Sequence, residues 1–360
     1  MTKALFIKPA LAEHFKKMGI PKFQYGHKHV IRPAICHEIL KKLELKSKYS
    51  NSKRLDIIDV FPGYGLFSSI LNQELKPNKH IIVEDSKENV EIWKDRIEYL
   101  QKETGNEENF ILFPKNGFKW ETFDEILQKK IIEPKYESRE KVHDELLIVG
   151  NLTTQKFGES LLAQWIMCSV YQNWLQKYGR VRMICFIPDV TAQKFWSGAH
   201  FNKRNKSAIK RELFTDSHLI AVSEVSDNLV PNGNDYDPNL IMKDQPYLIP
   251  LKSILPVGAS LAVVEIVPTN RPDLDFDMLE YILQILMYRS TGKLSDALSQ
   301  LAPGADIDLI PKIPKEILNK CPRDLLTEEF LLVYDVFNNW AFKPSFTDTI
   351  GIFQEDTRTF

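Results

Sequence analysis

The sequence predicts a doubly wound α/β domain followed by a small helical one, and three observations carry that expectation. Short, β-branched apolar runs alternate with amphipathic helical patterns through the first half of the chain. A glycine-bearing turn, Asp59-Val60-Phe61-Pro62-Gly63-Tyr64-Gly65, follows the first of these runs and opens a helix. After Pro268 the alternation stops, and helical patterns are separated by breaks at Pro303, Gly304, Pro311, Pro314 and Pro322.

The apolar runs cover residues 55–60, 80–83, 109–113, 146–149, 182–187, 219–225 and 261–267, which predicts seven strands. Amphipathic patterns at 66–75 and 90–100 place helices between them, so the sheet is expected to be mostly parallel. No helical pattern is clear between the last two runs, which predicts an antiparallel finish at one edge. The charged stretch 133–145 reads as a loop insertion before the fourth strand. Helices are expected at 273–289, 293–301, 315–318 and 327–340. The expected domains are therefore 1–270 and 271–343, with a flexible polar tail over 344–360 carrying Phe346, Phe353 and Phe360.

Composition narrows the possibilities. A chain of 360 residues, 43% apolar and 26% charged, can bury one large core and one smaller one, and is unlike a disordered chain. The formal net charge of −1 means that a nucleic-acid partner would have to meet a local basic face. Cys36, Cys168, Cys185 and Cys321 are far apart and contain no C-x-x-C pair, which excludes a zinc-ligand pattern or a disulfide framework and suits a reducing compartment. The greasy stretch 161–174 is interrupted by Gln164, Gln172 and Asn173 and is too short to span a bilayer, so it reads as a buried helix. In the first 18 residues Leu11, Phe15 and Met18 fall at helical spacing among Lys3, Lys8, Lys16 and Lys17. Both a targeting segment and a surface helix fit, although the Arg and Ser of transit peptides are missing.

Several segments could carry chemistry. The turn at 59–65 would let backbone approach a nucleotide-like ligand, and Glu84, at the end of the second strand, could bind ribose hydroxyls. The same glycines also suit a tight strand–helix turn with no ligand. From Lys194 through Lys203, Arg204, Lys206 and Lys210 to Arg211 there is no acidic residue; such a run can neutralise phosphates or be a solvated face. Phe195 and Trp196 adjoin it, and Phe118 and Trp120 follow the third strand; aromatic rings beside cations hold unpaired bases, with core packing the alternative for Trp120. Other patterns fail. Gly292-Lys293 lacks the upstream glycine of a phosphate loop, and the calcium-like start at Asp235 meets Leu240 where glycine is required. No H-E-x-x-H pair exists, His27 and His29 read as surface, and the sequon at Asn151 has no secretory signal.

Taken in order, Gly26-His27-Lys28, the turn 59–65, Glu84 and Gly150-Asn151-Leu152 resemble the ribosomal RNA adenine dimethyltransferases. The stretch from Thr191-Ala192-Gln193-Lys194 to Phe214-Thr215-Asp216-Ser217 is similar to that family's RNA-facing region. Within the family the likeness extends to the fungal type of mitochondrial transcription factor B, through Phe23-Gln24-Tyr25-Gly26, Phe118-Lys119-Trp120, residues 158–165, Cys321-Pro322-Arg323-Asp324 and Trp340-Ala341-Phe342-Lys343-Pro344. It covers nearly the whole chain apart from the start and the acidic loop at 227–244. The resemblance implies a Rossmann-like methyltransferase fold with a pocket for S-adenosylmethionine.

The departures from the family point away from catalysis. Phe61 stands where the family's cofactor turn has its first glycine, and Asn116 where it has the acid for the donor's adenine. Asn151-Leu152-Thr153-Thr154 lacks the Pro and Tyr of the target-base site, a loss of about 1–3 kcal/mol of stacking. Asp59, Phe61, Gly63, Glu84, Asn116 and Asn151 are therefore expected to form a vestigial pocket, with no catalytic residue, no metal and no cofactor. The resemblance implies a factor of the mitochondrial matrix that binds the single-subunit mitochondrial RNA polymerase and assists promoter recognition and melting. It would hold the non-template strand of promoter DNA, touch no membrane, and point its tail at the template. Phe118 and Trp120 would stack bases while Lys194, Lys203, Arg204 and Arg211 hold phosphates. An active S-adenosylmethionine-dependent rRNA adenine dimethyltransferase is the alternative, and a module using its sheet edge for protein contacts is a third.

Overall fold

A computed structural model of the chain describes residues 7–19, 26–50, 52–154, 157–224 and 236–345. Most of the expected tail, from Phe346 on, residues 227–235 of the acidic loop, and Phe23, Gln24 and Tyr25 lie outside the described residues. The chain forms two compact units. One draws on the chain up to Ala192 and on the stretches that begin at Thr215 and Ile241, ending at Asn270; the other is built from Gln193–Phe214, Tyr236–Leu240 and the chain from Arg271. Residues 193–214, expected within the first domain, thus cluster with the helices instead.

The first unit is organised by one sheet of eight strands: β1 (Asp56–Val60), β2 (Lys79–Val83), β3 (Phe110–Phe113), β4 (Val142–Asn151), β5 (Arg180–Pro188), β6 (Thr215–Ser223), β7 (Tyr247–Ile249) and β8 (Leu261–Pro268). Their order across the sheet is β3-β2-β1-β4-β5-β8-β6-β7. The pairings are parallel except for β8, which runs antiparallel to both β5 and β6. This is the Rossmann-like methyltransferase arrangement, with two differences from expectation. The short parallel strand β7 is an eighth, and the antiparallel strand lies inside the sheet rather than at its edge. The reason is burial: all eight residues of β8 are buried, and such a strand satisfies its backbone only with a neighbour on each side. The charged insertion is also shorter than expected, because β4 begins at Val142 and pairs there with Arg180.

Helices cover the sheet: α1 (Pro9–Met18), α2 (Pro33–Leu43), α3 (Leu66–Leu75), α4 (Lys87–Glu103), α5 (Trp120–Gln128) and α6 (Gly158–Tyr171). In α4 the buried residues are Asn89, Trp93, Arg96 and Leu100, one stripe at helical spacing, flanked by the partly buried Ile92, Ile97 and Tyr99. The second unit contains α7 (Lys206–Phe214), α8 (Phe276–Tyr288) and α9 (Thr327–Asn338), with short helical turns between the last two. Asp275 caps α8 by accepting from the Met278 N–H, and Tyr281 stacks on Phe337 of α9 at 6.0 Å. Among the described residues no helix is long and apolar enough to cross a membrane, and no His/Cys/Asp/Glu group could hold a metal ion.

Candidate functional site

The turn after β1 lies at the carboxyl edge of the sheet. Its backbone is left-handed three times, at Phe61 (φ 57°), Gly63 (φ 60°) and Gly65 (φ 78°). Glycine adopts this region freely; a phenylalanine there carries about 1–2 kcal/mol of strain. Phe61 is held by its N–H, which donates to Val83 O at 2.9 Å, and by a buried ring. That ring lies 4.8 Å from Phe118 and 5.4 Å from His27. Below it is Gly117, where an added Cβ would come within 3.0 Å of the Phe61 ring and 2.4 Å of Val60 Cγ1. The neighbouring cavity, bordered by His29, Asp59, Tyr64 and Asn151, measures about 30 Å³.

The polar residues expected at this pocket are engaged with the protein itself. Glu84 Oε2 accepts from the Gly63 N–H and Asn89 Nδ2, both at 3.2 Å, and Oε1 accepts from the N–H groups of Asp85 and Ser86. Burial raises its pKa to about 7, while those backbone donors pull the other way. Asp59 pairs with His80 at 3.2 Å, and Asn72 bridges His80 to the Glu108 carbonyl. Asn116 turns its Oδ1 to the Phe118 N–H at 2.7 Å. The glycines of the turn admit α4: Trp93 Nε1 donates to Gly63 O at 2.8 Å, and a Cβ on Gly65 would lie 2.2 Å from Trp93 and 2.4 Å from Arg96. The turn thus packs tightly between strand and helix.

The loop after β4 is closed in a similar way. Asn151 Nδ2 donates to Lys28 O at 3.0 Å, its Oδ1 accepts from Thr153 Oγ1 at 2.6 Å, and Thr153 Oγ1 accepts from the Lys28 N–H at 2.7 Å. Segment 26–30 is thereby tied to the loop after β4. His29, expected at the surface, is instead buried with its pKa lowered to about 3, and burial lowers that of His27 as well. Pairing of residues 29–30 with Ile254–Leu255 draws the segment inward, a contact over 200 residues apart that no local pattern signals.

Aromatic surface remains outside this closed pocket. Trp120 begins α5 and is 42% exposed, with its inner edge 6.0 Å from Trp174; Trp174 in turn stacks on Trp165 at 5.0 Å and meets Phe123 edge-on. Phe157, passed over in the sequence, is half exposed and lies 5.6 Å from Phe118. Its only local signal was its position just before Gly158, where any side chain would strike the Leu152 carbonyl.

The basic run divides. Arg204 is buried and donates to the carbonyls of Arg323 and Leu325, with Glu212 Oε2 at 2.6 Å. Arg211 is also buried, donating to Phe195 O at 2.7 Å, pairing with Glu212 at 3.1 Å and covering the Trp196 ring. Neither is available to phosphates as expected, because the neighbouring Glu212 and backbone carbonyls, two of them more than 100 residues away, engage their guanidinium groups. Phe195 and Trp196 are themselves core residues. Lys194 and Lys203 are only half buried, the latter donating to Gln193.

The fold and sequence have clear relatives. Residues 20–335 match the ribosomal RNA adenine dimethylase family. The chain is 29% identical over 339 residues to "Mitochondrial transcription factor 1" of Lachancea kluyveri, covering 93% of this chain and 96% of that protein. It is 28% identical to the protein of the same name from Saccharomyces cerevisiae, over 93% and 95% of the two chains. Among solved structures, a dimethyladenosine transferase from Plasmodium falciparum aligns with a TM-score of 0.57 at 13% identity, over 86% of this chain and 97% of that one. The 23S rRNA methyltransferase ErmE aligns at 0.51 and 10% identity, over 86% and 98%. With the family matched across most of its length and the sheet order the methyltransferase one, this chain belongs to the ribosomal RNA adenine dimethylase family.

Proposed function

We propose that the chain is a non-enzymatic transcription initiation factor of the mitochondrial matrix, working with a single-subunit mitochondrial RNA polymerase. In this reading it assists promoter recognition and melting and holds the displaced non-template strand. The observation that carries the loss of chemistry is the Phe61 ring, buried against Phe118 and His27 where a methyl donor would approach the backbone. The relatives named as transcription factors, matched almost end to end, support the role in initiation.

The energetics are consistent with strand capture. Opening duplex DNA loses about 1.4 kcal/mol per base-pair step. A base stacked on an aromatic ring recovers about 1–3 kcal/mol. Phe118, Phe157 and the exposed face of Trp120 offer such rings, and Lys194 and Lys203 are proposed to hold phosphates. Transcription by the cognate polymerase tests the proposal: the chain should stimulate initiation strongly on duplex promoter and weakly on a template melted in advance. Equal stimulation on both would argue against strand capture. Binding of S-adenosylmethionine with micromolar affinity in calorimetry would restore the methyltransferase reading.

A further inference from the structure

The two ends of α1 are held against the first unit in unlike ways. At its start Leu11 is fully buried, the Lys8 N–H donates to Gln73 Oε1 at 2.6 Å, and the Lys8 ammonium pairs with Glu108 at 2.9 Å. At its other end Phe15 and Met18 lie over Arg96 of α4, an arginine with no solvent exposure. The Arg96 guanidinium sits between two rings, 4.5 Å from the centroid of Phe15 and 4.4 Å from that of Trp93.

This second end lacks the compensation that buried charges usually have. Among the described residues no carboxylate pairs with Arg96, and its Nε and Nη1 have no acceptor in the protein. Burial pulls its pKa down to about 9, so it stays charged at neutral pH. Withdrawing an ion from water without a counter-charge opposes docking, and contact with two aromatic faces offsets that only in part. His14 adds to the imbalance: it is 9% exposed, lies 5.2 Å from the Tyr99 ring, and leaves Nε2 unpaired. Between the helices a groove of about 400 Å³, bordered by His14, Lys17, Met18, Ile92 and Tyr99, leaves this end loosely packed. A helix of 10 residues is marginal alone in water, so α1 depends on these contacts.

The same contacts reach the turn after β1. Phe15 meets the Tyr64 ring edge-on at 6.2 Å, and Arg96 Nη2 donates to the Tyr64 carbonyl at 2.5 Å. The Tyr64 hydroxyl in turn donates to Val30 O at 3.0 Å. We infer that the second half of α1 is a displaceable strap over Arg96, which opens without global unfolding and loosens the turn 63–65 when it lifts. Lifting Phe15 and Met18 returns a guanidinium and an imidazole to water, which favours the open state. The ring contacts favour the closed one, and Leu11 with the Lys8–Glu108 pair keeps the strap attached at its start.

Native-state amide hydrogen exchange on the full chain tests this. The reporters are residues 15–19, where the Gly19 N–H donates to Phe15 O, the Gly65 N–H, which donates to Pro62 O, and strand β1. In wild type residues 15–19 should exchange at least about 100-fold faster than β1. Phe15→Ala should speed residues 15–19 and Gly65 by about 5-fold or more and leave β1 unchanged. Arg96→Met removes the uncompensated charge and keeps an apolar side chain, so it should slow residues 15–19 by about 5-fold or more. Exchange of residues 15–19 at the rate of β1 in wild type would overturn the strap, as would a folded Arg96→Met chain in which they exchange faster. Gly65 unmoved by Phe15→Ala would overturn its link to the turn. Should Arg96→Met fail to fold, Phe15→Ala decides: acceleration of residues 15–19 without β1 upholds the strap, and equal acceleration of both overturns it.

Discussion

The rings of Phe61 and Phe118 lie 4.8 Å apart with their planes inclined by 35°. Phe61 occupies a backbone conformation suited to glycine, and its strain persists only because the ring is packed. Phe118 in turn meets Phe157 at 5.6 Å. Replacing Phe61 should therefore affect stability first. Phe61→Gly relieves about 1 kcal/mol of strain but forfeits about 3–5 kcal/mol of burial, for a net loss of about 2–4 kcal/mol in urea denaturation. A variant more stable than wild type would show that the ring is not packed as described.

Gly65 makes a sharper prediction. Its φ of 78° and the approach of Trp93 and Arg96 to within 2.4 Å of an added Cβ leave no room for a side chain. Gly65→Ala should lower stability by about 3 kcal/mol or more, or prevent folding, as read by circular dichroism and thermal melting. Near-neutral behaviour would mean that α4 does not seat against the turn.

Arg204 and Trp120 should separate scaffold from surface. Arg204→Ala removes the donor from two carbonyls and Glu212, and should cost about 3 kcal/mol of stability. Trp120→Ala should change stability by about 1 kcal/mol while weakening single-strand binding about 5- to 100-fold. The reverse pattern in melting and binding titrations would exchange the two roles.

Stability should fall as pH drops from neutrality. Burial lowers His29 to about 3 and His14 to about 4, and also lowers His27, from an ordinary value near 6.5. Between those values the unfolded chain binds more protons than the folded one, so the contribution is complete above pH 6.5 and declines as pH falls toward 4. Glu84 has the opposite sign: raised to about 7, its contribution is present below about 4.5 and lost as pH rises through 7. His29→Asn should flatten the fall in the urea midpoint between pH 6.5 and 4, and an unchanged slope would exclude His29 as its source.

Much of the fold could be read along the chain because its cause is local. β-branched runs bounded by turns predicted the strands from Asp56–Val60 to Leu261–Pro268, and the helical pattern at 66–75 coincides with α3. The inward place of β8 was missed because strand order follows from pairing between distant segments, which periodicity does not report. Tyr247–Ile249 was missed because three residues are too few to show alternation.

By itself the sequence determined which residues occupy the positions where the family's methyltransferases have theirs: Phe61, Asn116 and Thr153-Thr154 are chemical facts whatever the chain does next. Only the tertiary structure decided what the charges do. The run from Lys194 to Arg211 contains no acid and ends against Glu212, but only the fold shows that Glu212 pairs with both Arg204 and Arg211 and that the carbonyls of Phe195, Arg323 and Leu325 accept from them inside the protein. A guanidinium's availability depends on which acceptors fold against it, and a linear run of cations does not contain that information.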